Sequence, residues 1–427
     1  MLPSTDVRTR IDGHDLVVEL TRAQRVAGLL RDVRVPLHAV RDVEVVPNTL
    51  YATTGIRAPG LGVPGLIKIG TWRRRGHREL VVAGAGAPGV RVSLSGRPYD
   101  ALVLATDEPE RLAADLRSAA APSEELTFSS AGHRLVGTLL RPERPGLLPA
   151  ALLLPGSGPL DRDSSHPRMP LDVTRHLAEA LADAGIPSLR YDKRGVGASA
   201  GNFHRTGFTD NTDDAAAALA ALAAQPGIDP DRIVVVGHSE GALHATVLAG
   251  GGAGTVPAAA VLLAGAAHTG EDVLRYQVRA IAPLLPAPVR ALLTVLRADL
   301  AGKQEKRFAK LRATTTDTTG HGPLRVNARW WREFLAFDPR PLLAATQVPV
   351  LAITGARDVQ VDPADAAAIA RLVTDAPAES YVAPGVTHIL RRTEDAGGPS
   401  TYRRQARRPL DADVVARVVG FVREQTS

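Results

Sequence analysis

The sequence predicts a two-part chain: a small, mainly-β domain over residues 1–121, then an α/β domain over residues 122–427 with a mostly parallel sheet flanked by helices. Three observations carry this. Up to about residue 105, short apolar runs follow one another with turn residues between them. Beyond residue 122, strand-like runs alternate with helical segments, which calls for parallel strands joined by crossover helices. Within that second part, Ile233-Val234-Val235-Val236 runs directly into Gly237-His238-Ser239-Glu240-Gly241 and an Ala-rich helical segment.

Length and composition agree. A chain of 427 residues exceeds one ordinary domain. With 44% hydrophobic and 22% charged residues it can bury a normal core. The net charge is +6, but only five residues are Lys and the many Arg are scattered among acids, so no nucleic-acid partner is expected. Absence of Cys excludes disulfides, thiolate metal sites and a Cys nucleophile. Met1 to Arg8 lacks the apolar core of a signal peptide, and the run Val256 to Ala267 is too short and Pro-interrupted to span a bilayer. A soluble cytoplasmic protein without a transmembrane segment is the expectation.

In the first part, Arg8 to Ile11 and Leu16 to Leu20 flank Asp12-Gly13-His14-Asp15, a hairpin signal. Val33 to Val46 is a strand run interrupted by Pro36. Ala58 to Gly65, rich in Gly and Pro, reads as a loop. Runs at Leu66 to Trp72, Glu79 to Ala83, Val90 to Leu94 and Tyr99 to Ala105 complete the set, and Glu108 to Ala119 reads as one closing helix with Pro109 in its first turn. About seven strands closed by a C-terminal helix resemble the bacterial pleckstrin-homology-like fold. That resemblance implies a scaffold or a surface for a protein partner. It does not imply phosphoinositide binding, because the first hairpin loop carries Asp12 and Asp15 where lipid binders carry Lys.

Ala119 to Glu124 reads as the linker. Leu126 to Ser129 and Arg134 to Arg141 form an opening antiparallel pair, and Ala150 to Leu154 a buried strand. A helix over Leu171 to Ala184, a strand over Pro187 to Tyr191 and a helix over Asp214 to Ala223 lead to the Ile233 strand; Val256 to Leu263 is the next strand. Residues from about 268 to 340 break the alternation with helical, leucine-rich and basic stretches (Leu284-Leu285, Leu292-Leu293, Leu296, Lys303 to Arg312) and Trp330-Trp331, the pattern of an inserted cap. The alternation resumes with Val348 to Thr354, a helix over Pro363 to Thr374, Ser380 to Val382, and a last helix over Asp411 to Arg423.

A serine hydroxyl needs an adjacent base, itself held by a carboxylate, before it can attack an acyl carbon. Gly237 and Gly241 leave room for the sharp turn that would expose Ser239 at a strand end. The turn and its setting resemble the nucleophile elbow of the α/β-hydrolase fold, and that resemblance implies the chain order Ser, acid, His, with the acid just past a late strand and the base in the loop after the last one. Asp358 follows Val350 to Thr354, while Asp362, in Asp362-Pro363-Ala364-Asp365, reads better as a helix N-cap. His388 lies where the base is expected; His268 is the fallback. Backbone N–H groups of Ser157, between Gly156 and Gly158, and of Glu240 are placed to hold an oxyanion.

The motifs Leu154-Pro155-Gly156-Ser157-Gly158, Arg190-Tyr191-Asp192-Lys193-Arg194-Gly195, Gly237-His238-Ser239-Glu240-Gly241, Gly355-Ala356-Arg357-Asp358 and Gly385-Val386-Thr387-His388 occur in one order. Together they resemble the α/β-hydrolase fold and its dienelactone-hydrolase and esterase-like branch. The resemblance implies a Ser-His-Asp serine hydrolase of carboxylic esters, with a small-molecule ester substrate and neither metal nor organic cofactor. A thioesterase, an acyltransferase or a peptidase would use the same triad, and a non-catalytic scaffold acting through the N-terminal domain is the alternative from another class. Glu240 is expected to pair with a nearby Arg, or else to orient a ligand. Asp161-Arg162-Asp163 and Asp192-Lys193-Arg194 either form ion pairs between their loops, or Arg162 or Arg194 meets a substrate carboxylate. Trp330, Trp331, Phe334 and Leu335 either line an acyl pocket or seam the cap to the core.

Overall fold

The computed structural model describes residues 3–13, 15–53, 55–75, 77–94, 99–119, 123–142, 144–252, 254–290, 299–320, 325–394 and 397–427. The chain divides into two compact units, Met1–Ser123 and Glu124–Ser427. His14, linker residues 120–122 and the cap leucines 292, 293 and 296 lie outside the described residues.

The first unit is mainly β. Strands β1 (Arg8–Asp12), β2 (Asp15–Glu19) and β3 (Val33–Pro36) form one sheet. β4 (Val40–Val46), β5 (Ile56–Val63), β6 (Ile67–Arg74), β7 (His77–Gly84), β8 (Gly89–Leu94) and β9 (Ala101–Ala105) form another, in the order β4-β8-β9-β7-β6-β5. Leu16, Val18, Ile69, Leu80, Leu102 and Leu116 meet in one buried cluster. Three features depart from expectation. The Gly/Pro stretch is a strand, β5, whose register against β6 shifts between Arg57 and Gly60. There the backbones approach so closely that a Cβ on Gly60 would lie 2.4 Å from the Ile69 oxygen. Helix α1 (Arg22–Gly28) stands between β2 and β3, closed at its start by a Thr21–Gln24 capping box. The Pro36 interruption is a short 3₁₀ turn, Leu37–Ala39. Helix α2 (Pro109–Ala119) ends the unit.

The second unit is built on eight strands: β10 (Ser123–Ser130), β11 (His133–Leu140), β12 (Leu148–Leu154), β13 (Ser188–Tyr191), β14 (Ile228–His238), β15 (Ala259–Leu263), β16 (Val350–Gly355) and β17 (Ala378–Ala383). Their order is β10-β11-β13-β12-β14-β15-β16-β17. From β13 onward every pairing is parallel, and β11 meets β13 antiparallel. Parallel sheets need both faces covered. One face, with Leu152, Leu154 and Val235, packs against α4 (Phe208–Ala223) and α5 (Glu240–Ala249). The alternate residues Leu153, Val234 and Val236 point to the other face and are equally buried. That face adjoins α3 (Val173–Asp183), which packs on the C-terminal helix Ala412–Glu424. The chain passes from β13 on one side of β12 to β14 on the other, making a topological switch point at the carboxyl ends of β12 and β14.

After β15 come the helices Gly270–Ile281, Leu300–Arg312 and Ala328–Ala336, with a two-stranded ribbon pairing Thr318–Thr319 with Val326–Asn327. These form the cap. Asn327 Nδ2 donates to the carbonyls of Phe203 and Thr206 at 2.9 and 2.7 Å, tying the cap to the turn before α4. Among the described residues no helix is long and apolar enough to cross a membrane.

Candidate active site

Ser239 stands between β14 and α5 with φ +57° and ψ −118°, a backbone that L-residues rarely adopt. The neighbouring glycines make it sterically feasible. A Cβ on Gly237 would lie 2.1 Å from the Gly241 oxygen, and one on Gly241 2.3 Å from the Leu154 oxygen. Ser239 N–H donates to the Leu263 carbonyl at 2.8 Å, fastening the turn to the end of β15.

His388 Nε2 lies 3.0 Å from Ser239 Oγ, and His388 Nδ1 lies 2.8 Å from Asp358 Oδ2. A carboxylate only accepts, so Nδ1 carries the imidazole proton and Nε2 faces the serine as an acceptor. Asp358 is buried, and its other oxygen accepts from the N–H groups of Gln360 (2.7 Å) and Val361 (3.0 Å). Its rotation is thereby fixed. Asp362 serves elsewhere: its Oδ1 accepts from Ala364 N–H at 2.9 Å in a turn that precedes a helix over Asp365–Leu372, so it is not that helix's N-cap. His268 is bonded to Asp365 (2.7 Å) and its side chain is half exposed.

Two supports of His388 escaped sequence reasoning. Buried His238, the residue before Ser239, has Nε2 2.8 Å from the His388 carbonyl oxygen. Burial, with the nearby His388 imidazole, depresses its pKa to about 3. Buried Arg391 donates to the carbonyls of Ile389, Arg408 and Leu171, knitting the loop behind the histidine. Three donors aimed at carbonyls leave no local sequence signature.

A cavity of about 440 Å³ opens on Ser239. Ser157, Gly158 and Glu240 line it beside the serine, and Leu243, Val273, Trp330, Phe334 and Val361 give it an apolar wall. Gly156 sits behind, where a Cβ would be 3.3 Å from that of Ser239. Trp330, Trp331 and Phe334 line the cavity, while Leu335 is buried and is not a lining residue. Trp330 and Phe334 also pack with Phe208, Leu243 and Val273, so they line the pocket and seam the cap at once.

Glu240 is bound by a lysine, not the expected arginine. Its Oε1 accepts from Lys193 Nζ (2.8 Å) and Asn211 (3.1 Å), with His244 Nε2 at 3.3 Å, and its Oε2 accepts from Trp330 Nε1 (3.0 Å). Burial pushes this carboxyl up, but the Lys193 charge and the His244 contact outweigh it and bring the pKa to about 2. Arg162 is engaged by Asp192 through two bonds at 2.7 and 3.1 Å, and Arg194 by Asp214. Neither lines the cavity; the substrate-carboxylate role does not fall to them.

A family model described as serine aminopeptidase, S33, matches residues 171–395, more than half of the chain. The chain belongs to this family. Its second unit has the α/β-hydrolase fold. Esterase EstD of Thermotoga maritima is 28% identical over 232 residues, covering 54% of this chain and 52% of the relative; the chain thus spans about half the length of the curated relative it matches. Among solved structures, Est1E of Butyrivibrio proteoclasticus with bound ferulic acid aligns at 16% identity and TM-score 0.47, covering 70% of this chain and 98% of that one. Proline iminopeptidase of Mycobacterium smegmatis aligns at 17% and 0.47, covering 71% and 99%. Among the described residues no group of three His, Asp or Glu is arranged to hold a metal ion.

Proposed function

We propose that this member of the family is a serine hydrolase of carboxylic esters, acting through Ser239, His388 and Asp358. The observation that carries the reading is the hydrogen-bond chain from Ser239 Oγ through His388 to Asp358, opening on an apolar cavity. As Oγ attacks the acyl carbon, its proton passes to His388 Nε2, and the imidazolium is stabilised by Asp358. The carbonyl oxygen becomes an oxyanion facing the N–H groups of Ser157 and Glu240. Collapse expels the alcohol, which takes the proton from His388. Water then repeats the sequence on the acyl-enzyme and frees the acid and Ser239.

The family description raises aminopeptidase action. A substrate ammonium would need a carboxylate free to receive it. Among the described residues lining the cavity, Glu240 is the single carboxylate, and Lys193 already neutralises it. This favours an ester. The motif order keeps the dienelactone-hydrolase and esterase-like branch as our reading of its place in the fold. The N-terminal unit, β strands closed by helix α2, we read as a pleckstrin-homology-like scaffold for a protein partner in the cytoplasm.

The test is turnover of p-nitrophenyl acetate and butyrate with Ser239→Ala in parallel, plus fluorophosphonate labelling. Esterase action requires the wild type to turn over and label at Ser239, and the variant to do neither. Equal slow rates and no label would end this reading.

A further inference from the structure

The cap is rich in arginines, and several of them are taken by carboxylates. Arg275 pairs with Glu271 and Glu305, Arg312 with Glu271, and Arg329 with Asp210 and Glu333. Arg307 and Arg325 differ. Both are exposed, both line the cavity that opens on Ser239, and among the described residues neither has a carboxylate partner. The Arg307 guanidinium lies over the Trp331 ring, 5.0 Å from its centroid, a contact that holds the cation in place while leaving its N–H groups for a ligand. Arg325 stands two residues before Asn327, whose side chain is bonded to the Phe203 and Thr206 carbonyls.

The cavity is therefore polarised. Leu243, Val273, Phe334 and Val361 give it an apolar wall; Trp330, bonded to Glu240 beside Ser239, meets Trp331, and Trp331 lies under Arg307, one of two lining cations that have no carboxylate partner among the described residues. Among the described lining residues the single carboxylate, Glu240, is neutralised by Lys193. Arg307 and Trp331, with Leu274 and Gln277, also border a second cavity of about 450 Å³, which adds Lys303 to the same cationic rim.

We propose that Arg307 and Arg325 form an anion subsite, and that the substrate is an ester carrying a carboxylate remote from its scissile bond. This rests on the ester-hydrolase reading for the chemistry but makes a separate claim about binding. Guanidinium forks suit a carboxylate through paired, charge-assisted hydrogen bonds. The apolar stretch between them and Ser239 suits a methylene or aromatic spacer.

Binding is tested without turnover on Ser239→Ala protein, by tryptophan fluorescence during titration with monohexyl adipate and, as the neutral match, ethyl hexyl adipate. The expected result is that the monoacid binds about tenfold tighter, the low end for charge-assisted bonds because both arginines are exposed. That preference should vanish in Arg307→Gln/Arg325→Gln and shrink with added NaCl, as screening demands. Equal affinity for the two ligands, or a preference that survives the double substitution, overturns the subsite whatever the catalytic result. In the active enzyme, p-nitrophenyl hemiadipate against p-nitrophenyl hexanoate tests a carboxylate on the acyl side, and 4-(butyryloxy)benzoate against phenyl butyrate tests the alcohol side. The double substitution should lower one of these two kcat/KM ratios about tenfold. If neither ratio falls, the subsite does not serve the reaction and the proposal is lost. Failure of the ester-hydrolase reading looks different: wild type turns over none of the four esters, while the binding preference stands.

Discussion

His238 Nε2 lies 2.8 Å from the main-chain oxygen of His388, so the residue before Ser239 grips the backbone of the imidazole that faces Ser239. A carbonyl only accepts, so Nε2 carries the proton. Removing that donor leaves a buried carbonyl unpaired, a cost of about 1–3 kcal/mol, and frees the loop to shift. His238→Phe should lower kcat on p-nitrophenyl butyrate at least tenfold with KM little changed. An unaltered kcat would deny His238 any positioning role.

The depressed pKa of His238, about 3, has a consequence for stability. The unfolded chain binds this proton near pH 6.5 and the folded chain does not until about pH 3. Stability from the neutral imidazole is thus whole above pH 6.5 and lost as pH falls toward 3. Glu240 acts in the same direction over a lower window, from the unfolded carboxyl range near 4.3 down to about 2. Urea melts should show stability dropping below pH 6.5 in wild type, with a shallower drop in His238→Phe between pH 6.5 and 4.5. Identical slopes there would contradict the assignment.

Lys193 and Glu240 are both buried and 2.8 Å apart. Deleting one partner strands the other charge, which costs about 3–5 kcal/mol. Lys193→Met should therefore melt well below wild type, and Lys193→Met/Glu240→Gln should regain part of the loss, since an amide costs less to bury than a carboxylate. Additive losses in the double variant would show that the pair is not coupled.

Gly241 has no room for a side chain: a Cβ would press on the Leu154 and Pro155 backbone at 2.3 and 2.7 Å. Backbone cannot swing aside as a flexible side chain can. Gly241→Ala is expected to cost about 2 kcal/mol or more and to abolish fluorophosphonate labelling of Ser239. Normal labelling would mean that the elbow tolerates a wider turn.

Asp358 and Asp362 separate cleanly. Asp358→Asn keeps the hydrogen bonds from Gln360 and Val361 within reach but removes the charge beside His388, and kcat should fall by about 10⁴. Asp362→Asn touches only a turn N–H, and its expected cost is about 1 kcal/mol of stability or less. Comparable rate losses in the two would reopen the choice of acid.

Much of this was legible in the residues themselves. Short, near-continuous apolar runs such as Ala150 to Leu154 and Ile233 to Val236, bounded by turn residues, fit strands buried on both faces, and the order of strands and helices follows from them. The crowding of Gly237 against Gly241 lies within five consecutive residues, whereas that of Gly241 against Leu154 and Pro155 needs the folded sheet. The placing of Asp358 and His388 just past strand ends is equally local. What sequence could not decide depends on which loops converge at the sheet's carboxyl edge. The partner of Glu240 is Lys193, 47 positions away, and not an arginine. Asp192 and Asp214 consume Arg162 and Arg194, while the cap's Arg307 and Arg325 line the cavity without a carboxylate partner among the described residues. The Gly/Pro stretch became strand β5 because β6 supplies a hydrogen-bonding edge that its composition does not announce. Periodicity acts over a few residues, so a single segment carries it. Charge pairing and burial are settled between segments distant in the chain, and only the folded sheet and cap bring those together.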